Sequence, residues 1–439
     1  MKIGGRFRLD DFKLRFGRSS SQMPVMIGSY GPYSDNINFE RTVIISKDQS
    51  YGERVRKSLE EGLSTTFNKG FKGIFGRNME FVVVTYSNES EGEIFDLFNS
   101  NADKGSFPIV LLNKTNPFDF ESTYFKVKSR FLAEGYPSQI IDYETIDNTD
   151  QYKWSVLSIL VQVFAKMGGI PWALDRGSLS IQDGRKVLIV GIGFNYDPIS
   201  KRRGIGYVNI HDENGQWIYS NSDHINLNDN ATSEESAKQL ASRLINNIKD
   251  ALNSLPNLHF ETNPTLIIHY HGKELSNDEA FLWSEISNVQ KGKISGVYVV
   301  KINDSNTILF QEDSVCKNRL GAATGYPPVG LYIQMRDFYY LFTTGCFPES
   351  TPPRSNVIVG GAPTAIRVSF KKVNEGALVI NNIDLLKTVF ALTRMNYRLM
   401  NNPVMKMPVT VGFTDDITHL TLKIKDQVPS KLSNIPWFL

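Results

Sequence analysis

The sequence predicts an α/β protein with two domains, each built around its own β-sheet. In the first third of the chain, short apolar runs alternate with helical patterns, which is typical of a parallel sheet of βαβ units. In the rest, three consecutive strands precede alternating helices and strands. A chain of 439 residues with 41% hydrophobic residues is long enough for two or three sizeable cores.

The first predicted domain is Rossmann-like and covers residues 26–167, after a short ordered arm over residues 1–25 that ends near a serine-rich joint. Its elements in chain order are a strand at 41–46, a helix at 52–67, a strand at 81–85, a helix at 91–99 and a strand at 108–112. Such sheets bind ligands at the carboxyl ends of their strands. The segment that follows the third strand is therefore a plausible place for a site.

That segment carries side chains suited to a terminal phosphate. Tyr124 and Lys128 have YxxxK spacing, Gln139 follows, and the next predicted helix carries Gln162 and Lys166 near its end. Phosphate accepts hydrogen bonds and carries negative charge, so cations, amides and a phenol match it. The pattern predicts a phosphate-binding site.

The helix that ends this domain has one polar face and one apolar face. Asp150 is a suitable N-cap and Gly168 a suitable C′ residue. The apolar face holds Trp154, Leu157, Val161 and Phe164, and the polar face holds Ser155, Ser158, Gln162 and Lys166. The polar face has two readings. It faces solvent, with Lys166 complementing the helix dipole, or it faces a phosphate held by Lys128 and Gln139.

The second predicted domain covers residues 168–439. Its elements in chain order are strands at 186–194, 206–210 and 216–219, a helix at 233–255, a strand at 265–270, a helix at 276–287, a strand at 296–300, further strands within 306–370, and helices at 384–400 and 414–423. Three strands followed by alternating helices and strands is the order of a ribonuclease-H-like domain. We therefore expect that fold in this half of the chain.

Composition narrows the functional class. The net charge of +2 does not by itself indicate nucleic-acid binding, which would need a locally basic surface. The two cysteines, Cys316 and Cys346, lack CxxC spacing, which argues against a zinc module or a disulfide framework and fits a reducing compartment. The N-terminus lacks the apolar core of a signal peptide, and the most apolar run, 156–164, is too short to span a bilayer. These features predict a soluble cytoplasmic protein.

Five local motifs in this order resemble a short prokaryotic Argonaute that consists of MID and PIWI domains. They are Tyr124 and Lys128 with Gln139 and Lys166, the KMGGIPW run at 166–172, the GGAPTAIRV run at 360–368, the ALTRMNY run at 391–397, and Met407-Pro408 with Phe413, Thr414 and Asp415. The resemblance covers residues 30–439. It implies a Rossmann-like MID domain followed by a ribonuclease-H-like PIWI domain.

The resemblance also implies roles for the candidate residues. Tyr124 would contact the first nucleotide of a guide strand, while Lys128, Lys166 and Gln139 would bind its 5′-phosphate and Gln162 the adjacent backbone. The carboxylate of Leu439 would help to hold a structural Mg²⁺ between guide phosphates, a role that suits hard oxygen ligands.

The resemblance further implies that the PIWI domain does not cleave. Two-metal cleavage needs carboxylates, but Gly193 stands where the first aspartate of the family follows the first strand, and His271 replaces the second. Asp415 could occupy the last position of the set, while Glu234 and Glu235 lie in a helix and are poor candidates for an inserted glutamate. We therefore predict no catalytic residues. The alternative is a metal-dependent nuclease that uses Asp415, Asp197 and a further carboxylate.

Three other site hypotheses stay open. His269 and His271 alternate on a strand and share a face, so they could ligate a metal. The run Gly191-Ile-Gly193 resembles part of a dinucleotide-binding loop, although a third glycine and an opening helix are missing. A Rossmann-like sensor could also bind a mononucleotide at Lys128.

Basic residues outside the phosphate site have two readings. Lys201 begins a basic run to Arg203 on a predicted turn, and Arg394 and Arg398 lie four apart on a predicted helix. They are either solvated surface residues or contacts to a nucleic-acid backbone.

The resemblance implies four partners or roles: a 5′-phosphorylated guide that is usually RNA, a complementary target that is usually DNA, an APAZ-like or other effector protein, and defence against plasmids or viruses.

Overall fold

The computed structural model describes most of the chain. The described residues are 2–63, 69–115, 119, 121–175, 178–179, 187–197, 202–226, 242, 246, 249–250, 264–271, 283, 295–308, 325–347, 363–373, 380–398, 400, 402–421 and 429–439. The predicted helices at 233–255 and 276–287 lie mostly outside these residues, and the few described residues within them are helical.

The N-terminal arm has regular secondary structure and packs into the core of the protein. It contains β1 (Lys2–Arg6), β2 (Leu14–Arg15) and β3 (Ser20–Ser21), with a 3-10 helix at Leu9–Phe12; a second 3-10 helix at Pro24–Met26 leads into α1 (Ile27–Tyr30). Five of its apolar side chains are buried in the main core: Phe7, Leu9, Phe12, Leu14 and Phe16. Alternation of apolar and charged residues along the arm therefore reflects an inner and an outer side.

The next part of the chain forms a four-stranded parallel sheet in the order β5-β4-β6-β7. Its elements are β4 (Arg41–Ser46), α2 (Gln49–Glu60), α3 (Gly70–Phe75), β5 (Glu80–Thr85), α4 (Glu91–Asn101), β6 (Ser106–Leu112), α5 (Thr123–Ala133), β7 (Gln139–Asp142), α6 (Tyr143–Asp147) and α7 (Thr149–Lys166). The predicted βαβ arrangement is confirmed, and β7 is a fourth strand that the sequence pattern did not indicate.

The remaining strands and β1 are divided between two sheets. They are β8 (Ala173–Leu174), β9 (Val187–Asp197), β10 (Arg202–His211), β11 (Trp217–Asn226), β12 (Thr265–His271), β13 (Gly296–Ile308), β14 (Leu331–Gln334), β15 (Tyr339–Leu341) and β16 (Thr364–Lys372). A nine-stranded sheet has the order β1-β14-β15-β16-β13-β12-β9-β10-β11, while β8 pairs with β2 of the arm. Among the described strands of the large sheet, β12 alone is parallel to both its neighbours, and α8 (Asn382–Leu392) and α9 (Val409–Thr421) follow in the chain.

One hydrophobic core joins the arm, the parallel sheet, the large sheet and the C-terminal tail. Phe75 and Phe164 stack face to face at 4.0 Å between α3 and α7, and Trp437 and Phe438 are buried in the same cluster. The tail therefore lies between the two sheets. The predicted domain boundaries at residues 25 and 167 stay predictions, since this core crosses both of them.

Five predictions are corrected. Helix α7 is capped by Asn148, whose side chain accepts from Gln151 N, and not by Asp150. Trp154, expected on the apolar face, is 62% exposed. The predicted helix at 384–400 ends at Leu392, and the one at 414–423 begins at Val409. Cys346 is disulfide-bonded, against the expectation from cysteine spacing.

A buried histidine ties the large sheet to the two helices packed on it. His269 of β12 is fully buried; its Nδ1 lies 2.8 Å from Thr410 Oγ1 and its Nε2 lies 3.0 Å from Thr388 Oγ1. Both ring nitrogens are thus occupied by hydroxyl groups of α8 and α9. Burial lowers the pKa of His269 to about 3, with a smaller contribution from His211.

The burial of His269 predicts acid-dependent stability. Its folded-state pKa lies below the unfolded value near 6.5, so the unfolded chain takes up the proton first as pH falls. Its contribution is complete above pH 6.5 and decreases by up to about 1.4 kcal/mol per pH unit toward pH 3. Urea unfolding of wild type and His269→Gln between about pH 7 and 4 measures this. A wild-type-minus-variant difference that does not change with pH would contradict the prediction.

Candidate functional site

Lys128 lies on the buried face of α5. The helix begins after Ser122, whose hydroxyl accepts from Phe125 N at 3.2 Å. Phe125 and Phe131 are buried on the helix, and Lys128 is buried with them, at 2% exposure. Its Nζ donates to the carbonyl oxygen of Ser138 at 2.8 Å. A charged side chain is thus held within the protein by a backbone acceptor.

Lys166 is the last residue of α7 and meets Lys128 at the same acceptor. It is 1% exposed, and its Nζ donates to Ser138 O at 3.0 Å and to Gln139 Oε1 at 2.8 Å. The helix ends here because Gly168 adopts φ +98°, a backbone conformation that glycine accepts readily. Gln139 is buried and starts β7, where its Nε2 donates to Ile140 O at 3.1 Å.

The C-terminal tail closes the other side of these lysines. Lys128 Nζ also donates to Trp437 O at 3.2 Å, and Arg398 Nη2 donates to Phe438 O at 3.3 Å. The Arg398 guanidinium lies over the ring of Phe413, 5.0 Å from its centre. Leu439 is buried directly after these residues, at 7% exposure. We call Lys128, Ser138, Gln139, Lys166 and Arg398 the cation pocket.

The cation pocket brings the two buried lysines and the half-buried Arg398 together. Burial lowers the pKa of Lys128 to about 7, and the charge of Arg398 also acts to lower it. Burial lowers the pKa of Lys166 well below its usual value, with additional contributions from the charges of Lys128 and Arg398. Within the described part of the chain, both ammonium groups donate to carbonyl oxygens, and neither pairs with a carboxylate.

One buried polar group of the cation pocket has no partner among the described residues. The hydroxyl of Ser138, which is 0% exposed, makes no hydrogen bond there. An unsatisfied buried hydroxyl costs roughly 1–3 kcal/mol. Together with the uncompensated ammonium groups, it makes the cation pocket chemically suited to an anion with several acceptor oxygens.

The other two residues predicted for phosphate binding lie on the same helices. Tyr124, in the first turn of α5, is half-buried and packs against the core of the parallel sheet. Gln162 is half-buried on α7, one turn before Lys166. The cation pocket itself lies at the amino end of β7 and not at the carboxyl ends of the strands, so the location expected from the fold class is wrong.

The three basic residues predicted to contact a nucleic-acid backbone have different outcomes in the structure. Arg398 joins the cation pocket, which sequence spacing did not indicate. Arg394 is 1% exposed and donates through Nη2 to Gln22 O at 2.6 Å, so its burial argues against the predicted backbone contact. Lys201 lies outside the described residues.

Of the expected catalytic positions, Gly193 lies within β9 and His271 is the last residue of β12. These strands are parallel, with His269 opposite Gly191 and Tyr270 opposite Ile192; Gly193 and His271 follow. A Cβ atom at Gly193 would lie 2.5 Å from both Cβ and Oγ1 of Thr414. Helix α9 therefore occupies the space into which a side chain at position 193 would project.

Metal ligation by His269 is excluded by its two hydroxyl partners. Within the described ranges, no group of three histidine, cysteine or acidic residues is arranged to hold a metal ion. The side chains of Asp197 and Asp415 are not described, and Glu234 and Glu235 lie outside the described residues.

A protein-family model and solved structures agree with this architecture. The family model described as the Piwi domain matches residues 109–423, more than half of the chain. The chain belongs to the Piwi domain family. The predicted α/β class and the ribonuclease-H-like Piwi domain are thereby confirmed, and no curated protein matches the sequence.

Solved structures similar to this Piwi-family chain are Argonautes. A. aeolicus Argonaute matches with TM-score 0.62 and 18% identity over 100% of this chain and 56% of its own. Clostridium butyricum Argonaute, bound to a guide DNA and a 19-mer target DNA, matches with TM-score 0.68 and 13% identity over 99% and 54%. Marinitoga piezophila Argonaute, in complex with 5′ OH guide RNA, matches with TM-score 0.62 and 15% identity over 97% and 59%.

These likenesses establish the Argonaute fold, and the predicted resemblance to Argonautes is confirmed at that level. The Piwi-family chain spans just over half the length of these three structures. No helix within the described residues combines the length and apolarity needed to cross a membrane.

Proposed function

We propose that this Piwi-family chain anchors the 5′-phosphate of a guide strand in the cation pocket and presents the guide for pairing with a target strand. The observation that carries the proposal is the pair of buried ammonium groups, Lys128 and Lys166, whose acceptors in the described chain are uncharged. Buried charges are costly without an opposite charge. A terminal phosphate supplies that charge and several acceptor oxygens.

Each pocket residue has a role in this proposal. Lys128, Lys166 and Arg398 neutralise the phosphate, while the Ser138 hydroxyl and the Gln139 amide can turn to donate to its oxygens. Tyr124 is half-buried at the start of α5, where its ring offers a face for the first base. Gln162, half-buried one helical turn before Lys166, would contact the next phosphate along the strand.

The identity of the nucleic acids is the second part of the proposal. Argonautes of this fold have been solved with a DNA guide and target and with an RNA guide. We propose an RNA guide and a DNA target for this chain, in the cytoplasm. Base pairing would supply sequence specificity while the protein holds backbone and shape, as in other guided systems.

Binding of a short strand with and without a 5′-phosphate tests the proposal directly. DNA and RNA versions are compared at two salt concentrations. A 5′-phosphate that tightens binding by more than about tenfold, roughly 1.4 kcal/mol, supports the guide anchor. Equal affinities for the two strands would reject it, and the preferred nucleic acid identifies the guide. A mononucleotide that binds as tightly as a longer strand would favour the sensor hypothesis instead.

A divalent cation is a further part of the proposal. The protein offers few ligands for such an ion, because within the described residues we place a single carboxylate, that of Leu439, beside the tail carbonyls. Mg²⁺ fits here only if the guide supplies phosphate oxygens for the remaining positions, since it prefers oxygen ligands and retains water. When bound, the ion would neutralise guide phosphates; Lys128, Lys166 and Arg398 hold the 5′-phosphate themselves.

We propose that the chain recognises its target without cutting it. Gly193 within β9 and His271 at the end of β12 occupy the positions where metal-binding carboxylates would be needed. The close approach of Thr414 to Gly193 leaves no room for a carboxylate there. Recognition without cleavage calls for a separate effector, so we propose an APAZ-like or other effector partner and a role in defence against plasmids or viruses.

The wild-type protein, loaded with a guide, is expected to leave a complementary target intact in Mg²⁺ or Mn²⁺. The physical reason is the missing pair of carboxylates, without which two metal ions cannot be held. Gel analysis of labelled DNA and RNA targets measures this. Metal-dependent cleavage that disappears in Asp415→Ala would establish the nuclease alternative, which uses Asp415 and Asp197.

A further inference from the structure

The N-terminal arm carries a charge that the rest of the chain does not. Residues 1–18 hold six lysine or arginine side chains and two aspartates, a formal net charge of +4, whereas the whole chain carries +2. The remaining 421 residues therefore sum to −2. A concentrated positive charge on an otherwise balanced protein marks a surface for a polyanion.

The fold turns four of these six cations outward, on the same side as the exposed Asp10 and Asp11. Phe7, Leu9, Phe12, Leu14 and Phe16 are buried in the main core. Between and after them, Arg8, Lys13 and Arg18 are exposed and Arg15 is half-buried. We call these four cationic residues the basic strip. Lys13 makes a loose ion pair with Asp10 at 3.9 Å, and both of these side chains are more than 40% exposed.

A series of contacts links the basic strip to the segment that follows Lys166 of the cation pocket. β2, which contains Arg15, pairs with β8 just after the end of α7. The Arg15 guanidinium lies 5.7 Å from the centre of the Tyr33 ring, and Tyr33 N donates to Pro171 O at 3.0 Å. Pro171 lies five residues beyond Lys166, so their Cα atoms are at most roughly 18 Å apart.

A few nucleotides of a bound strand are long enough to span that distance. A nucleic-acid strand carries about one phosphate per 3.4 Å of helix axis. A strand that leaves the cation pocket therefore comes within range of Pro171 inside about its first five or six nucleotides, and Arg15 lies beyond Pro171, against the Tyr33 ring. Cations on a rigid, core-anchored segment can hold such a backbone without reading its sequence.

We propose that the basic strip of the N-terminal arm is a contact surface for the sugar–phosphate backbone of the guide strand. This inference rests on the proposed function, because the guide's 5′ end must lie in the cation pocket. The strip contributes affinity that is independent of sequence and sensitive to salt. It does not contribute to discrimination between a 5′-phosphate and a 5′-hydroxyl.

The test uses the Arg15→Gln/Arg18→Gln protein and a 5′-phosphorylated single strand without target. Dissociation constants are measured from about 50 to 200 mM salt. Two lost phosphate contacts are expected to reduce the slope of log affinity against log salt by about 1.4 for a single strand. Over this range the variant then loses roughly sevenfold less affinity to salt than wild type does. Lys57→Gln/Lys104→Gln removes two exposed cations outside the arm and is expected to leave the slope unchanged.

Two readouts separate this inference from the proposed function. The affinity gain from a 5′-phosphate is expected to be the same in wild type and in the strip variant, and thermal melting confirms that the variant is folded. An unchanged salt slope overturns the proposal and leaves the basic strip as a surface for an acidic protein. A wild type that gains nothing from the 5′-phosphate rejects the guide anchor independently of the slope.

Discussion

Replacing Lys128 and Lys166 together by methionine is expected to abolish the affinity that a 5′-phosphate adds to a bound strand. In wild type that gain is expected to exceed about tenfold, or roughly 1.4 kcal/mol. Both ammonium groups are buried, share the carbonyl oxygen of Ser138 and lack a carboxylate partner in the described chain. Methionine keeps a long, unbranched side chain and removes the charge. Titration of phosphorylated and unphosphorylated strands measures the gain.

The stability of the same variant distinguishes a binding site from a structural one. Burying a charge without an opposite charge is costly, and its removal offsets the hydrogen bonds lost at Ser138 O, so the ligand-free double variant is expected to unfold at a similar urea concentration. Lys126→Met/Lys153→Met is the matched control, because these exposed lysines lie on the same two helices. It is expected to keep the phosphate gain. A Lys128/Lys166 double variant that retains the full gain would show that phosphate binds elsewhere.

Gly193→Asp is expected to destabilise the protein and to leave it without nuclease activity. The new Cβ would meet the side chain of Thr414 at 2.5 Å, a separation that forces helix α9 to move. Overpacking a core costs about 1–3 kcal/mol, and a buried carboxylate adds further cost. We therefore expect a loss of at least about 2 kcal/mol in the free energy of unfolding, measured by urea denaturation. Target cleavage in Mn²⁺ is measured on the same preparation.

Two further variants identify the cause of that loss. Gly92→Asp introduces the same side chain in the first turn of α4, where an added Cβ atom meets no described atom within 4 Å and the helix dipole favours a carboxylate. Its stability is expected to stay within about 0.5 kcal/mol of wild type. Gly193→Ala/Thr414→Gly is expected to be more stable than Gly193→Ala. A stable Gly193→Asp protein that cleaves its target would refute this account of the inactive site.

Part of the candidate site is predictable from the sequence. Residue types and spacing predict that Lys128, Gln139 and Lys166 converge, and the structure brings them to one stretch of backbone at Ser138. Their identification depends on side-chain chemistry and on a family resemblance. The shared acceptor is the carbonyl oxygen of Ser138, and backbone acceptors carry no signal in the sequence because every residue has one.

Long-range contacts account for most of what the sequence does not predict. Spacing on a helix groups Arg398 with Arg394 as contacts to a nucleic-acid backbone, since the two lie four residues apart. In the structure Arg398 reaches the tail carbonyl of Phe438, while Arg394 is buried against Gln22 of the arm. Helix α8 ends at Leu392, so neither arginine lies on a helix, and their neighbours depend on the packing of segments far apart in sequence.

The sequence by itself determined the α/β class, most strands, the approximate positions of several helices and the residue types of the cation pocket. These follow from local periodicity, turn-forming residues and side-chain chemistry, all of which act over a few residues. Only the tertiary structure decided the exposure of Trp154, the fourth parallel strand, the burial of both lysines and the close approach of Thr414 to Gly193. Burial and close approach arise from packing between distant segments, and local patterns do not encode that packing.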